Sequence, residues 1–110
     1  MGKNDSLGEF EQIVLLALLR LQSDVYGVNI WREIGSRTGR DVSIGAVYTT
    51  LERLERKGFV SSTIGEPTPE RGGRAKRYYK IEAPGQRALD MSREVMNRMW
   101  DGLLPSPSAG

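Results

Sequence analysis

Cysteine and histidine are both missing from the 110-residue chain. Without them no disulfide, thiolate zinc site or imidazole acid–base catalyst can be built. No acidic cluster replaces them as a metal site, so neither a metal nor a cofactor is expected. With no nucleophile–base set, an enzyme is disfavoured. Long apolar runs are missing too. The stretch from Ile13 to Leu21 is interrupted by Arg20 and falls short of the roughly 18 residues of a membrane span. The first residues lack the basic-then-apolar order of a secretory signal. Gly2 and Ser6 fit the loose N-myristoylation pattern, which is read here as an ordinary start. These absences point to the cytoplasm and away from a membrane partner. A hydrophobic content of 38% suffices for one modest core in one small domain.

Net charge is also scarce, at +2, but it is unevenly placed. Residues 1–65 carry eight basic and eight acidic side chains. Residues 66–80 carry five basic ones (Arg71, Arg74, Lys76, Arg77 and Lys80) against Glu66 and Glu70. Residues 81–110 carry three basic and four acidic. A localised basic patch is the electrostatic footprint of a phosphate contact. On charge alone a merely solvated basic loop is an equal reading.

Periodicity divides the chain into helix, helix, helix, strand, strand, helix. Ser6 and Glu9 form a capping-box pattern before an apolar run, which predicts a first helix over Leu7 to Gln22. Its apolar positions cover more than one face, as in a helix buried on two sides. Ser23-Asp24 marks a second cap, and Val28, Trp31 and Ile34 place a helix over Val25 to Arg37, stopped by Gly39. Asp41-Val42 is an extended link or a minimal strand. Ser43 caps a third helix that runs to Lys57 and ends at Gly58. Phe59 to Thr63 and Tyr78 to Ile81 form a hairpin. Pro84 opens the last helix from its first turn, and that helix runs to about Leu103. The pattern is mainly α with a small β-hairpin, the layout of a winged helix-turn-helix plus a C-terminal dimerisation helix. Its expected divisions are a flexible tail (1–6), the DNA-binding domain (7–83), the dimerising helix (84–104) and a disordered tail (105–110).

Ile44, Val47, Leu51 and Leu54 form one apolar stripe on the third helix. The remaining face offers Gly45, Ala46, Thr49, Thr50, Arg53 and, further along, Arg56 or Lys57. Small residues allow close approach to a surface, threonines can donate to phosphates or base edges, and arginine pairs with guanine or phosphate. Ser43 and the free N–H groups of the first turn suit one phosphate. Tyr48 flanks the stripe, where ring packing is favoured over a contact of its hydroxyl with phosphate. An ordinary polar face is the plain alternative, and the adjoining basic hairpin favours DNA. In the hairpin loop, Arg71, Arg74 and Lys76 flank Gly72-Gly73, whose flexibility lets the cations follow a phosphate backbone; Arg77 adds to them. The glycine pair is not a P-loop, since the Gly-x-x-x-x-Gly-Lys-Ser/Thr order is missing. Tyr78 and Tyr79 point to opposite sides of a strand, so one should face the core.

Leu89, Ser92, Met96, Met99 and Leu103 follow a 3-4-3-4 spacing, an a/d seam of two heptads. Val95 and Trp100 widen it. A symmetric homodimer would bury this helix against Phe10 and Val14 of a partner's first helix, and would suit a palindromic DNA site. Packing on its own domain is the alternative. Methionines and Trp100 also offer adaptable walls for a hydrophobic small molecule.

Several segments together resemble the PadR family of transcriptional regulators. They are Leu15 to Leu19, Val25 to Val28, Ser43 to Tyr48, Leu51 to Val60 and Gly72 to Ile81, within about residues 10–90. The resemblance implies a dimeric winged helix-turn-helix protein, usually a bacterial repressor, with a C-terminal dimerising helix. It implies that the third helix enters the major groove, that Ser43 and Tyr48 belong to the DNA-contact region, and that the wing touches backbone or minor groove. Two motifs depart from the family. The His-Gly-Tyr-Gly run before the second helix reads Ser23-Asp24-Val25-Tyr26-Gly27, and the Thr-x-x-Gly turn reads Glu82-Ala83-Pro84-Gly85. The single last helix is similar to the short subfamily, some of whose members sense drugs between paired tryptophans. Trp100 lies farther along than that arrangement places it. The expected partners are double-stranded DNA and a second copy of the chain; a hydrophobic effector is a family-level alternative, and ordinary interface packing is the favoured role of Trp100. A protein-docking winged helix without specific DNA binding is the competing class.

Overall fold

The computed structural model describes residues 6–65 and 75–103. The order of elements is α1 (Glu9–Arg20), α2 (Gly27–Thr38), α3 (Ile44–Arg56), β1 (Val60–Ile64), β2 (Arg77–Ile81) and α4 (Ala83–Trp100). The six expected elements are all present, with ends shifted by up to three residues. Asp41-Val42 forms no strand. Apart from Ser6, the expected tails 1–6 and 105–110 lie outside the described residues, as do Arg71 and Arg74.

The cap of α1 falls two residues later than expected. Gly8, not Ser6, is the N-cap, and its N–H donates to Glu11 Oε1 at 2.9 Å. Glu11 takes this place because it is held from the other side. Lys57 Nζ lies 3.0 Å and Arg53 Nη1 3.8 Å from its Oε2. Burial by itself would raise the Glu11 pKa. The Gly8 N–H, Lys57 and Arg53 outweigh it and hold the carboxyl below its ordinary range. Glu9, freed from capping, pairs with Arg40 at 2.9 Å. That contact lowers the Glu9 pKa and raises that of Arg40.

Helix α2 also starts differently from the expectation. Tyr26 is its N-cap and makes no side-chain cap bond. Ser23-Asp24 therefore does not cap it. Asp24 instead turns the chain in the left-handed region, φ 55°, which aspartate tolerates better than most residues. Its carbonyl accepts the Asn29 side chain at 2.9 Å. Gly39 closes α2 at φ 74°. Trp31 Nε1 donates to the Val42 carbonyl at 2.8 Å, which fastens the α2–α3 link to α2. Ser43 caps α3 by accepting the Ala46 N–H at 3.0 Å.

After α3, Gly58 at φ 80° reverses the chain, and the Phe59 N–H reaches the Leu54 carbonyl at 2.9 Å. This left-handed glycine turn satisfies the last carbonyls of the helix. Strands β1 and β2 pair antiparallel, with Val60 opposite Ile81 and Ile64 opposite Arg77. The segment entering α2 extends this sheet. Tyr26 bridges Tyr78, and the Tyr79 N–H donates to the Val25 carbonyl at 2.9 Å. Tyr79 is buried while Tyr78 is half-exposed, as strand alternation requires. Burial raises the Tyr79 pKa.

One core joins all elements. It contains Val14, Leu15 and Leu18 of α1, Ile30 and Ile34 of α2, Val47, Leu51 and Leu54 of α3, Val60 and Tyr79 of the hairpin, and Ala88 and Leu89 of α4. Two placements correct the expectation. Thr50 lies inside, 4% exposed, because three residues past Val47 is only about 60° round the helix, within the stripe. Val14 is 0% exposed and belongs to the core of its own chain, not to an association surface. It shares one face of α1 with Glu11, Leu15 and Leu18 at i, i+3, i+4 and i+7 spacing.

Candidate nucleic-acid interface

The stripe of α3 turns Val47, Thr50, Leu51 and Leu54 inward. The face opposite is formed by Gly45, Thr49, Glu52 and Arg56, all exposed. Ser43 and Ala46 stand exposed at the start of the helix. Of the expected contact residues on α3, Gly45, Ala46 and Thr49 are thus accessible and Thr50 is not. Arg53 is exposed as well, and its guanidinium is turned toward α1, where Nη1 lies 3.8 Å from Glu11 Oε2. It stands to the side of the outward face, and Arg56 occupies the centre. Periodicity carried that signal, since Gly45, Thr49, Glu52 and Arg56 recur at four- and three-residue steps.

Tyr48 departs from the expected core packing. It is 40% exposed, and the hydroxyl end of its ring lies close to Gly27 at the start of α2. A side-chain carbon at Gly27 would collide with that ring. This close approach explains why glycine stands there. It also locks the first turns of α2 and α3 together.

The base of the wing reaches the same place. A cleft of about 230 Å³ is lined by Tyr26, Gly27, Val28, Tyr48, Ala75, Lys76 and Arg77. Lys76 Nζ sits 5.0 Å from the centroid of the Tyr26 ring, a cation–π arrangement. Tyr26 meets Tyr78 edge to face, centroids 5.5 Å apart. Arg77 Nη1 donates to Ser62 Oγ at 2.9 Å, and Ser62 Oγ donates to Glu55 of α3 at 2.8 Å. Two cations of the wing base, Lys76 and Arg77, therefore share one concave surface with Tyr48 of α3. Sequence reasoning missed Tyr26. A single tyrosine in a loop before a helix gives no periodic signal, and its role arises from pairing with a strand far along the chain.

The expected association residues divide in two. Leu89 is buried in its own domain, Phe10 packs partly against the same core, and Ser92 is half-buried. The seam then leaves the domain. Val95, Met96, Met99, Trp100 and Leu103 are exposed, Met99 by 70% and Leu103 by 71%. Met91 on α4 and Leu16 and Leu19 on α1 are exposed too. Leu16 belongs to the apolar positions expected to cover a second face of the first helix; Leu19 and Met91 escaped the sequence reading, because their apolar character alone suggests core. Among the described residues, no group of acidic side chains could hold a metal ion. No helix among them is long and apolar enough to cross a membrane.

A capped helix with a bare outward face, followed by a hairpin whose basic root lies beside it, defines a winged helix-turn-helix protein. Residues 15–91 match the transcriptional regulator PadR-like family, and the chain belongs to that family. It is 33% identical over 86 residues to a transcriptional regulator of Mycobacterium tuberculosis, covering 78% of this chain and 76% of the relative. It is 32% identical over 105 residues to an uncharacterized protein of Lysinibacillus sphaericus, covering 87% and 92%. A PadR family transcription regulator from Clostridium difficile shares the fold, with a TM-score of 0.65 at 20% identity over 87% of this chain and 99% of that one. Membership makes the chain a transcriptional regulator and not an enzyme.

Proposed function

We propose that the chain is a homodimeric repressor that binds a palindromic operator. The outward face of α3 (Gly45, Thr49, Arg56) enters the major groove, and Lys76 and Arg77, together with Arg71 and Arg74 of the loop, contact phosphates. The observation that carries this reading is the shared cleft, where Tyr48 of the reading helix and the cations of the wing base line one surface. A duplex lying along α3 meets both.

Dimerisation rests on the exposed apolar side of α4. Monomers rarely leave contiguous apolar patches beyond a few hundred Å² uncovered. Six large side chains on and just after α4, from Met91 to Leu103, are about half or more exposed. Ile13, Leu16, Ala17 and Ile34, rimmed by Arg20, Glu33, Arg37 and Thr38, line a groove of about 170 Å³ between α1 and α2 that can receive side chains of the partner's α4. Residues 7–83 then form the DNA-binding unit and 84–104 the dimerising helix. A hydrophobic effector would enter between the paired helices, where Met96, Met99 and Trp100 supply adaptable walls. The protein works in the cytoplasm, where its DNA lies.

A mobility-shift titration on the DNA upstream of the chain's own gene, with excess nonspecific competitor, tests the reading. A shift that survives competition and weakens as salt rises is expected. Absence of any shift at low salt would replace DNA binding with protein docking.

A further inference from the structure

We infer that Tyr26 is a positioning residue that aims Lys76 at one DNA phosphate in the cleft beside Tyr48; this rests on the DNA-binding reading above. Lys76 is held at both ends. Its carbonyl accepts the Gly65 N–H at 2.7 Å, which closes the root of the wing. Its ammonium lies over the Tyr26 ring at 5.0 Å. The ring is fixed in turn by its edge-to-face contact with Tyr78, at 85° between planes, and by the backbone bridge between the two residues. A lysine side chain ordinarily loses much rotamer freedom when it grips a phosphate. Here part of that freedom is already lost before DNA arrives.

The cleft also has the chemistry for a phosphodiester. Lys76 and Arg77 lie on the wing side and the Tyr48 ring on the α3 side. The phosphate accepts hydrogen bonds from the Lys76 ammonium and the Tyr48 hydroxyl, which bridges the wing to the reading helix. The Tyr26 ring stays with Lys76 while its ammonium turns a donor outward, so the cation–π contact and the phosphate contact coexist. The Tyr26 hydroxyl has no part in this arrangement.

Fluorescence anisotropy on a labelled duplex across a salt series tests the inference with Tyr26→Phe, Tyr26→Leu, Lys76→Ala and the double variant. Lys76→Ala should lower the slope of log K against log salt by about one. Tyr26→Phe should bind as the native chain does. Tyr26→Leu should weaken binding roughly two- to fivefold, and this loss should vanish in the background of Lys76→Ala. An equal loss in both backgrounds, or an unchanged slope for Lys76→Ala, overturns the inference while DNA binding itself stands. A native chain that binds no duplex overturns the underlying reading instead. A second measurement covers a Tyr26→Leu chain that fails to fold. The Lys76 ε-methylene protons of the native protein should resonate upfield under the Tyr26 ring current, and an unshifted resonance contradicts the geometry.

Discussion

Glu11 is a buried carboxylate that joins three parts of the chain. It accepts the Gly8 N–H and meets Lys57 and Arg53 at the far end of α3. Its companions outweigh the cost of its burial, so the charged form is the one that fits the folded state. Replacement of Glu11 with Gln should destabilise the chain by roughly 1.5–3 kcal/mol at neutral pH, the range for hydrogen bonds to charged groups. The pH dependence has a definite sign. A carboxyl with a lowered folded-state pKa contributes stability above its unfolded value, and that contribution is lost as pH falls through the folded value. Urea midpoints of the native chain and Glu11→Gln should therefore differ at neutral pH and converge in acid, below the ordinary carboxylate range. Equal midpoints at neutral pH would remove Glu11 from the account of stability.

Among the elements, α3 divides the account most sharply. Its buried side holds Val47, Thr50, Leu51 and Leu54, and its outward side holds Gly45, Thr49, Glu52 and Arg56. Thr50→Val, close in shape, should leave DNA affinity unchanged. Arg56→Ala should weaken specific binding by roughly 1–3 kcal/mol if the guanidinium reads a base. The reverse ranking in a binding titration would mean that α3 faces DNA by another side. The same helix marks what could be read from sequence. Ser43, Gly39 and Gly58 announce their ends because cap geometry depends on local residue type. The apolar stripe was legible because it repeats. Thr50 was misread because its hydroxyl suggested solvent, whereas position on the helix placed it inside. The ion pair of Arg53 was not legible, because its partner, Glu11, lies 42 positions earlier and no local pattern reveals such a contact. The Tyr26–Lys76 pair was hidden for the same reason.

At the scale of the whole molecule, α4 has two roles along one stripe. Leu89 packs into the domain, and from Val95 onward the stripe faces outward. A chain that left this surface uncovered would expose apolar area without gain, and the proposed symmetric partner would cover it. Met96→Lys with Met99→Lys should yield a folded monomer by sedimentation. It should also bind an operator roughly 100-fold more weakly, because two linked heads gain avidity that one head lacks. An unchanged dimer would move the association surface away from α4.

The central claim is that the reading unit is a symmetric pair of α3 helices. Selection of duplexes from a random pool by the native chain tests it most directly. An inverted repeat is predicted, with half-site centres about one helical turn, roughly 10 base pairs, or a multiple apart. Enrichment of a lone half-site, or of no sequence at all, would contradict it.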